Sequence, residues 1–190
     1  MSPHAIRAKR AERRLRGERG ASLVELALIL PIFLVLVFGV IEFGITYNNL
    51  ITVRQGTREA ARQGAVGNFG STTSCSLNSA TGSDDIKKLM CLTKQQIGLS
   101  YANTRVKIMS ASADFTTTGT FQKGEAIVVC TEYPVDTMAK FVSPVLGTAV
   151  LKSKTSMRIE ASYSNTETAG EESPLSSASW SWCTVSGAAP

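Results

Sequence analysis

Three groups of residues in this sequence could do chemistry: four cysteines, two adjacent aspartates, and a glutamate at the rim of an apolar run. Cys75, Cys91, Cys130 and Cys183 could bind a metal or form disulfides. A zinc site is not indicated, because no CxxC occurs and the one histidine, His4, stands near the N-terminus. Disulfides leave three pairings open. Cys75 with Cys91 and Cys130 with Cys183 is the favoured one, since the first pair is close in sequence and the second would tie a polar tail to a strand. Closing the shorter loop would contribute about 3 kcal/mol in the chain-entropy view.

Asp84 and Asp85 could suggest acid–base work, but they follow Ser83, a helix-capping residue type, at the start of a helical pattern reaching about Gly98. Carboxylates in a first helical turn suit the helix dipole, which accounts for both. Without a histidine after residue 4 and without metal-ligand spacing, the usual catalytic constellations are missing, and no metal or cofactor is implied. A membrane-anchored enzyme would have to rely on a serine–lysine arrangement, so the expectation is a protein that is not an enzyme.

The glutamate is Glu25. It directly precedes Leu26–Ile41, a run without a charged residue, and with the apolar residues on either side the stretch covers Leu23–Ile45, 23 residues. A helix of that length spans about 34 Å against a hydrocarbon core of roughly 30 Å. No amphipathic period survives between Leu26 and Ile41, which argues for a membrane span over a buried core helix. At the start of such a span a carboxylate costs roughly 1–3 kcal/mol depending on depth, so Glu25 needs a partner.

The net charge of +5 has one source. Arg7, Lys9, Arg10, Arg13, Arg14, Arg16 and Arg19 stand in the first 20 residues against Glu12 and Glu18, leaving 13 basic and 13 acidic residues in the rest. The excess is thus a leader rather than a basic patch, which argues against nucleic acid as a partner. It predicts a cytoplasmic N-terminus, with the chain beyond residue 46, cysteines included, on the extracytoplasmic side, where disulfides persist. A cleaved secretory signal fits less well: the apolar run is too long and leads into Gly44-Ile45-Thr46-Tyr47-Asn48 rather than a small-residue cleavage site.

The elements that must position these residues follow from periodicity. Residues 1–20 read as a hydrophilic leader and 21–66 as one long helix, spanning the membrane over about 23–45 and on the order of 70 Å in all. Pro31 should kink it without ending it, and Gly64 and Gly67 lie where it should stop. Arg54, Arg58 and Arg62 recur every four residues, as a solvated face would, or a face for an acidic neighbour. Residues 67–163 read as an extracytoplasmic α+β domain. It has a turn-rich linker, the Asp84–Gly98 helix, strands at Arg105–Ala111, Glu125–Tyr133 and Val150–Tyr163, and a short helix at Asp136–Val142. A small antiparallel sheet backed by helices is expected. By composition residues 164–190 form a polar, largely flexible tail, although Trp180 and Trp182 are expected to pack on the domain, held there by a disulfide.

The border Arg19-Gly20-Ala21-Ser22-Leu23-Val24-Glu25-Leu26 resembles the class III signal of type IV pilin-like proteins. That resemblance implies cleavage by a prepilin peptidase after Gly20, with Ala21 as the first mature residue and Glu25 the fifth. It also implies that the Glu25 carboxylate pairs with the free amine of Ala21 on a neighbouring subunit. A closer resemblance is to the TadE-like family, pseudopilins of the tight-adherence (Flp, type IVc) pilus machinery. It rests on RGERGASLVELALILPIFLVLVFGVIEFG, with Pro31, Gly39 and Glu42-Phe43-Gly44 in order, and on Arg58-Glu59-Ala60-Ala61-Arg62, about a quarter of the chain. The resemblance implies subunit packing through Glu25, Pro31, Gly39 and Glu42. Its implied partners are membrane lipid, the prepilin peptidase, other pilins and pseudopilins and the Tad secretion machinery, in a homo- or hetero-oligomeric assembly. Major Flp pilins carry a tyrosine after the glutamate and are very short. Here Leu26 follows Glu25 and a sizeable domain follows the helix, which points to a minor pilin or assembly-priming subunit. The alternative is an unprocessed single-pass anchor for an extracytoplasmic binding module.

Overall fold

A single helix, α1, runs from Pro3 to Ala65 in the computed structural model. The structure describes residues 3–71, 75–112, 116–117, 119–135, 149–163, 166–175 and 179–185, with side chains described from Gly20 onward. The helix expected from residue 21 begins at Pro3 instead, because the leader is rich in alanine, arginine, glutamate and lysine, all good helix formers. It continues through Pro31, which lacks the N–H that would bond the Ala27 carbonyl. The chain divides into two compact units, Met1–Gly44 and Ile45–Pro190.

The second unit is α+β. Helix α2 covers Asp84–Ile97, and four strands follow: β1 (Arg105–Ala111), β2 (Ala126–Pro134), β3 (Val150–Arg158) and β4 (Gly170–Glu171). They form one antiparallel sheet in the order β3-β2-β1-β4. The expected helix at Asp136–Val142 lies outside the described residues.

Side chains alternate across a strand, and here both faces of the sheet are covered. On one face Val106, Ile108, Ile127 and Val129 pack with Ala60, Ala61 and Ala65 of α1 and with Ile86, Leu89 and Met90 of α2. On the other face Met109, Ala111, Val128 and Cys130 pack with Trp180, Cys183 and Val185. The tail expected to be largely flexible therefore supplies β4 and a layer of core. Trp180 and Trp182 pack on the domain beside the Cys130–Cys183 disulfide, as expected, whereas a serine- and glutamate-rich composition reveals neither Val185 in that layer nor the strand at Gly170–Glu171.

Local chemistry explains the edges of the elements. Ser83 occupies the N-cap position of α2 without the expected side-chain cap; its hydroxyl donates instead to the Glu167 carboxylate, a charge-assisted bond. Asp84 and Asp85 each pair one turn on, with Lys87 at 3.7 Å and Lys88 at 2.6 Å, in the structural role expected of them. Gly98 ends α2 in the left-handed region at φ 66°, its N–H on the Lys94 carbonyl.

Candidate functional site

The first unit holds the residues that the sequence singles out. Gly20, Ala21 and Glu25 stand at the start of the exposed apolar part of α1, with Glu25 about 7 Å along the axis from Gly20. Pro31 and Gly39 follow, and nothing lies within 4 Å of the position a side chain would take at Gly20, Gly39 or Gly44. Glu42, about 26 Å beyond Glu25 along the axis, is by contrast buried, at 6 % exposure.

Around these residues the surface is apolar on all sides. The most apolar 18-residue window of Gly20–Ala65 has a mean hydropathy of 2.8, and none of it is buried. Leu28, Val40 and Phe43 are each more than 70 % exposed. A continuous apolar surface of this length requires lipid or the apolar helices of neighbours, and it fits a single-pass membrane anchor.

From Ile45 onward α1 belongs to the folded domain, and its small residues set how closely the domain approaches. A methyl group built on Gly56 would stand 2.8 Å from the Ile97 nitrogen and 2.9 Å from its α-carbon. One built on Gly64 would meet Ile127 Cδ1 at 2.6 Å and Leu89 Cδ2 at 2.8 Å. Gly64, which reads in sequence as a stop, is thus an interior packing residue; the helix ends at Ala65, and Gly67 follows at φ 74°. The spacing of Gly56, Ala60 and Gly64, four residues apart, is the signal that could have found this face. Between these contacts the Thr57 and Thr131 hydroxyls meet at 2.7 Å. Arg54, Arg58 and Arg62 stand exposed on the helix, and Arg62 binds Glu59 through two nitrogens. That bond, with help from Gln63, draws the Glu59 carboxyl down to about 2.

Two polar networks of the domain carry no local signal in the sequence. Lys94 is wholly buried, and its ammonium donates to the Ser76 and Tyr101 carbonyls and to Glu172 Oε1 at 2.7 Å. The same carboxylate accepts the backbone N–H of Asn78 and of Val106. Burial pushes the Lys94 ammonium below its ordinary value, and the bond to Glu172 opposes this. On the opposite sheet face buried Glu132 accepts the Trp182 indole N–H at 2.7 Å and the Leu175 N–H at 3.0 Å. The cysteines form two disulfides, Cys75–Cys91 and Cys130–Cys183, with α-carbons 5.6 and 6.1 Å apart. The second fastens the tail to the middle of β2.

A family model described as TadE-like protein matches residues 20–62. This segment is TadE-like. The match begins at Gly20, at the border of the basic leader, and runs through the apolar helix into the small-residue face of the domain. The TadE-like segment supports an association with the Tad pilus. It covers under a quarter of the chain, and the sheet domain lies beyond it. Neither the curated proteins nor the solved structures yield a match.

Proposed function

We propose that this chain is a pseudopilin or minor pilin of a tight-adherence (Flp, type IVc) pilus, cut by a prepilin peptidase between Gly20 and Ala21. The observation that carries this reading is that the TadE-like match starts at Gly20, where the basic leader gives way to an apolar helix with Glu25 at its head. Cleavage there removes the charged leader and leaves the membrane helix in place. It also creates an α-amine at Ala21, which remains largely protonated near neutral pH. Within low dielectric that cation is the kind of partner the Glu25 carboxylate needs, and on a neighbouring subunit it would set the axial register of two helices.

Pro31, Gly39 and Glu42 then act in helix packing. Gly39 lets a neighbouring backbone approach closely, and Pro31 leaves the Ala27 carbonyl free to accept a bond from outside its own helix. The basic leader supports an N-in orientation, with the α+β domain on the extracytoplasmic side. The domain's size supports a minor or assembly-priming role rather than that of a major pilin.

The test is the intact mass and N-terminal sequence of the protein purified from cells that express its pilus peptidase, beside Gly20→Ala. A wild-type chain beginning at Ala21, with the leader kept in the variant, is the expected result. A wild-type chain that keeps its leader would sink the processed-pilin reading and favour an anchored binding module.

A further inference from the structure

Within the domain, α1 has a face that the sheet and α2 leave open. Gly56, Ala60 and Gly64 turn toward α2 and the sheet. At about 3.6 residues per turn, Tyr47, Ile51, Arg54 and Arg58 fall on the opposite side, and all four are exposed. Their steps of four, three and four residues set them in one row along the helix, apolar first and cationic after. That spacing is the one by which a second helix packs lengthwise at a shallow angle.

The two arginines of this row have no counter-charge. A helix neutralises its own side chains from three or four residues away, and every such position around Arg54 and Arg58 holds a neutral residue or another arginine. The domain does build such pairs elsewhere: Glu59 with Arg62 on α1, and Asp84 with Lys87 and Asp85 with Lys88 on α2. Among the described residues no carboxylate of the sheet or the tail reaches Arg54 or Arg58 either; Glu172 is held by Lys94 and Glu171 by Lys107. Like charges one turn apart repel, so the row is left to be neutralised from outside. A second copy of this chain is a poor complement. Its Glu59 is held by Arg62, and its Asp84 and Asp85 are adjacent in sequence and each bound to a lysine.

We propose that this face of α1 docks a helix of another protein, one that lays an apolar residue on Ile51 and presents two carboxylates, one turn apart, to Arg54 and Arg58. Guanidinium suits the task, because its planar fork pairs with a carboxylate through two parallel hydrogen bonds. The apolar half of the row supplies burial. The cationic half fixes the register of the partner and rejects helices that bring lysine or arginine to the same places. The inference stands whether or not the leader is cut after Gly20.

The test puts a benzophenone amino acid in place of Gln55, which is exposed beside the two arginines, in the full chain and in the cells the protein comes from. Illumination should yield a cross-linked product in which tandem mass spectrometry identifies a helical segment of a second protein with carboxylates one turn apart. Arg54→Glu with Arg58→Glu should lower the yield at least about tenfold, by setting like charges against each other. Exchanging the two identified carboxylates for lysines should restore it, which a mere folding defect in the variant would not allow. Cross-linking to lipid, to a second copy of the chain or to a segment without acidic residues overturns the proposal. So does a yield that the charge reversal leaves unchanged or the exchange does not restore, and so does the absence of any product when the chain is present at its wild-type level.

Discussion

Lys94 and Glu172 meet 2.7 Å apart with both side chains fully buried, joining α2 to the residue that follows β4. The pair also organises its surroundings, because the three ammonium bonds and the three carboxylate bonds tie together the 76–78 loop, the 101 turn, β1 and the tail. Glu172→Gln turns one carboxylate oxygen into an amide donor that must face either Lys94 or a backbone N–H. An uncompensated buried charge costs roughly 3–5 kcal/mol, and thermal unfolding should report a loss of that order. Removing both charges together with Lys94→Met and Glu172→Leu should cost markedly less than the two single changes added. Additive losses in that cycle would count against a coupled pair.

Gly56 and Gly64 should respond differently to the same substitution. Alanine favours a helix over glycine by about 1 kcal/mol. At Gly56 the added methyl runs into the backbone of Ile97, which cannot move without shifting α2, so Gly56→Ala should destabilise the domain by about 1–3 kcal/mol. At Gly64 the obstacles are the ends of the Ile127 and Leu89 side chains, which can turn away, so the loss should be smaller. Gly39→Ala, with nothing within 4 Å, should leave domain stability unchanged. Denaturant midpoints of the three variants in one detergent rank the effects.

The parts legible in the sequence are those in which cause and effect are neighbours. The long apolar helix, helix α2 and strands β1 to β3 all follow from local period and composition. Strand β3 ends at Arg158 rather than Tyr163 because Ile159, Glu160 and Ala161 leave the β2 ladder to bond Glu125 and the Ala65 carbonyl at the end of α1. Apart from its tryptophans and Cys183, the tail was illegible for the same physical reason in reverse. Glu172 reads as one more charge in a polar stretch until Lys94, 78 residues earlier, is seen to need it. Two-residue β4 has no period at all, and only its pairing with Lys107 and Ile108 makes it a strand.

Tyr163 donates its hydroxyl to the Gly64 carbonyl and sits between Phe69 and Phe121, which ties the end of α1 to the sheet. Burial, reinforced by the charge of Glu167, raises its phenol above the ordinary value of 10.0. The neutral form is therefore the one the fold holds. Its contribution to stability is complete below pH 10 and is lost as pH climbs toward the folded-state value. Wild-type domain should lose stability between about pH 10 and 12, whereas Tyr163→Phe should be weaker at pH 8 and flatter across that range. Parallel pH curves for the two proteins would remove Tyr163 as the cause.

Cys130 and Cys183 close a different connection, and breaking it should have a distinct optical signature. The bond pins the tail onto β2, where Trp180 is 5 % exposed and gives its indole N–H to the Glu172 carbonyl, while Trp182 lies beside Lys152. Replacing Cys183 with serine releases the constraint at a cost of about 2–4 kcal/mol. The apolar face of Met109, Ala111 and Val128 then competes with water for its cover, and tryptophan emission should shift to the red well below the global unfolding midpoint. Cys75→Ser with Cys91→Ser opens a loop beside α2 that holds no tryptophan, so it should lower stability without an early shift in emission. Red-shifted emission in both variants would mean that the tail has no separate hold on the sheet and comes away only when the domain unfolds.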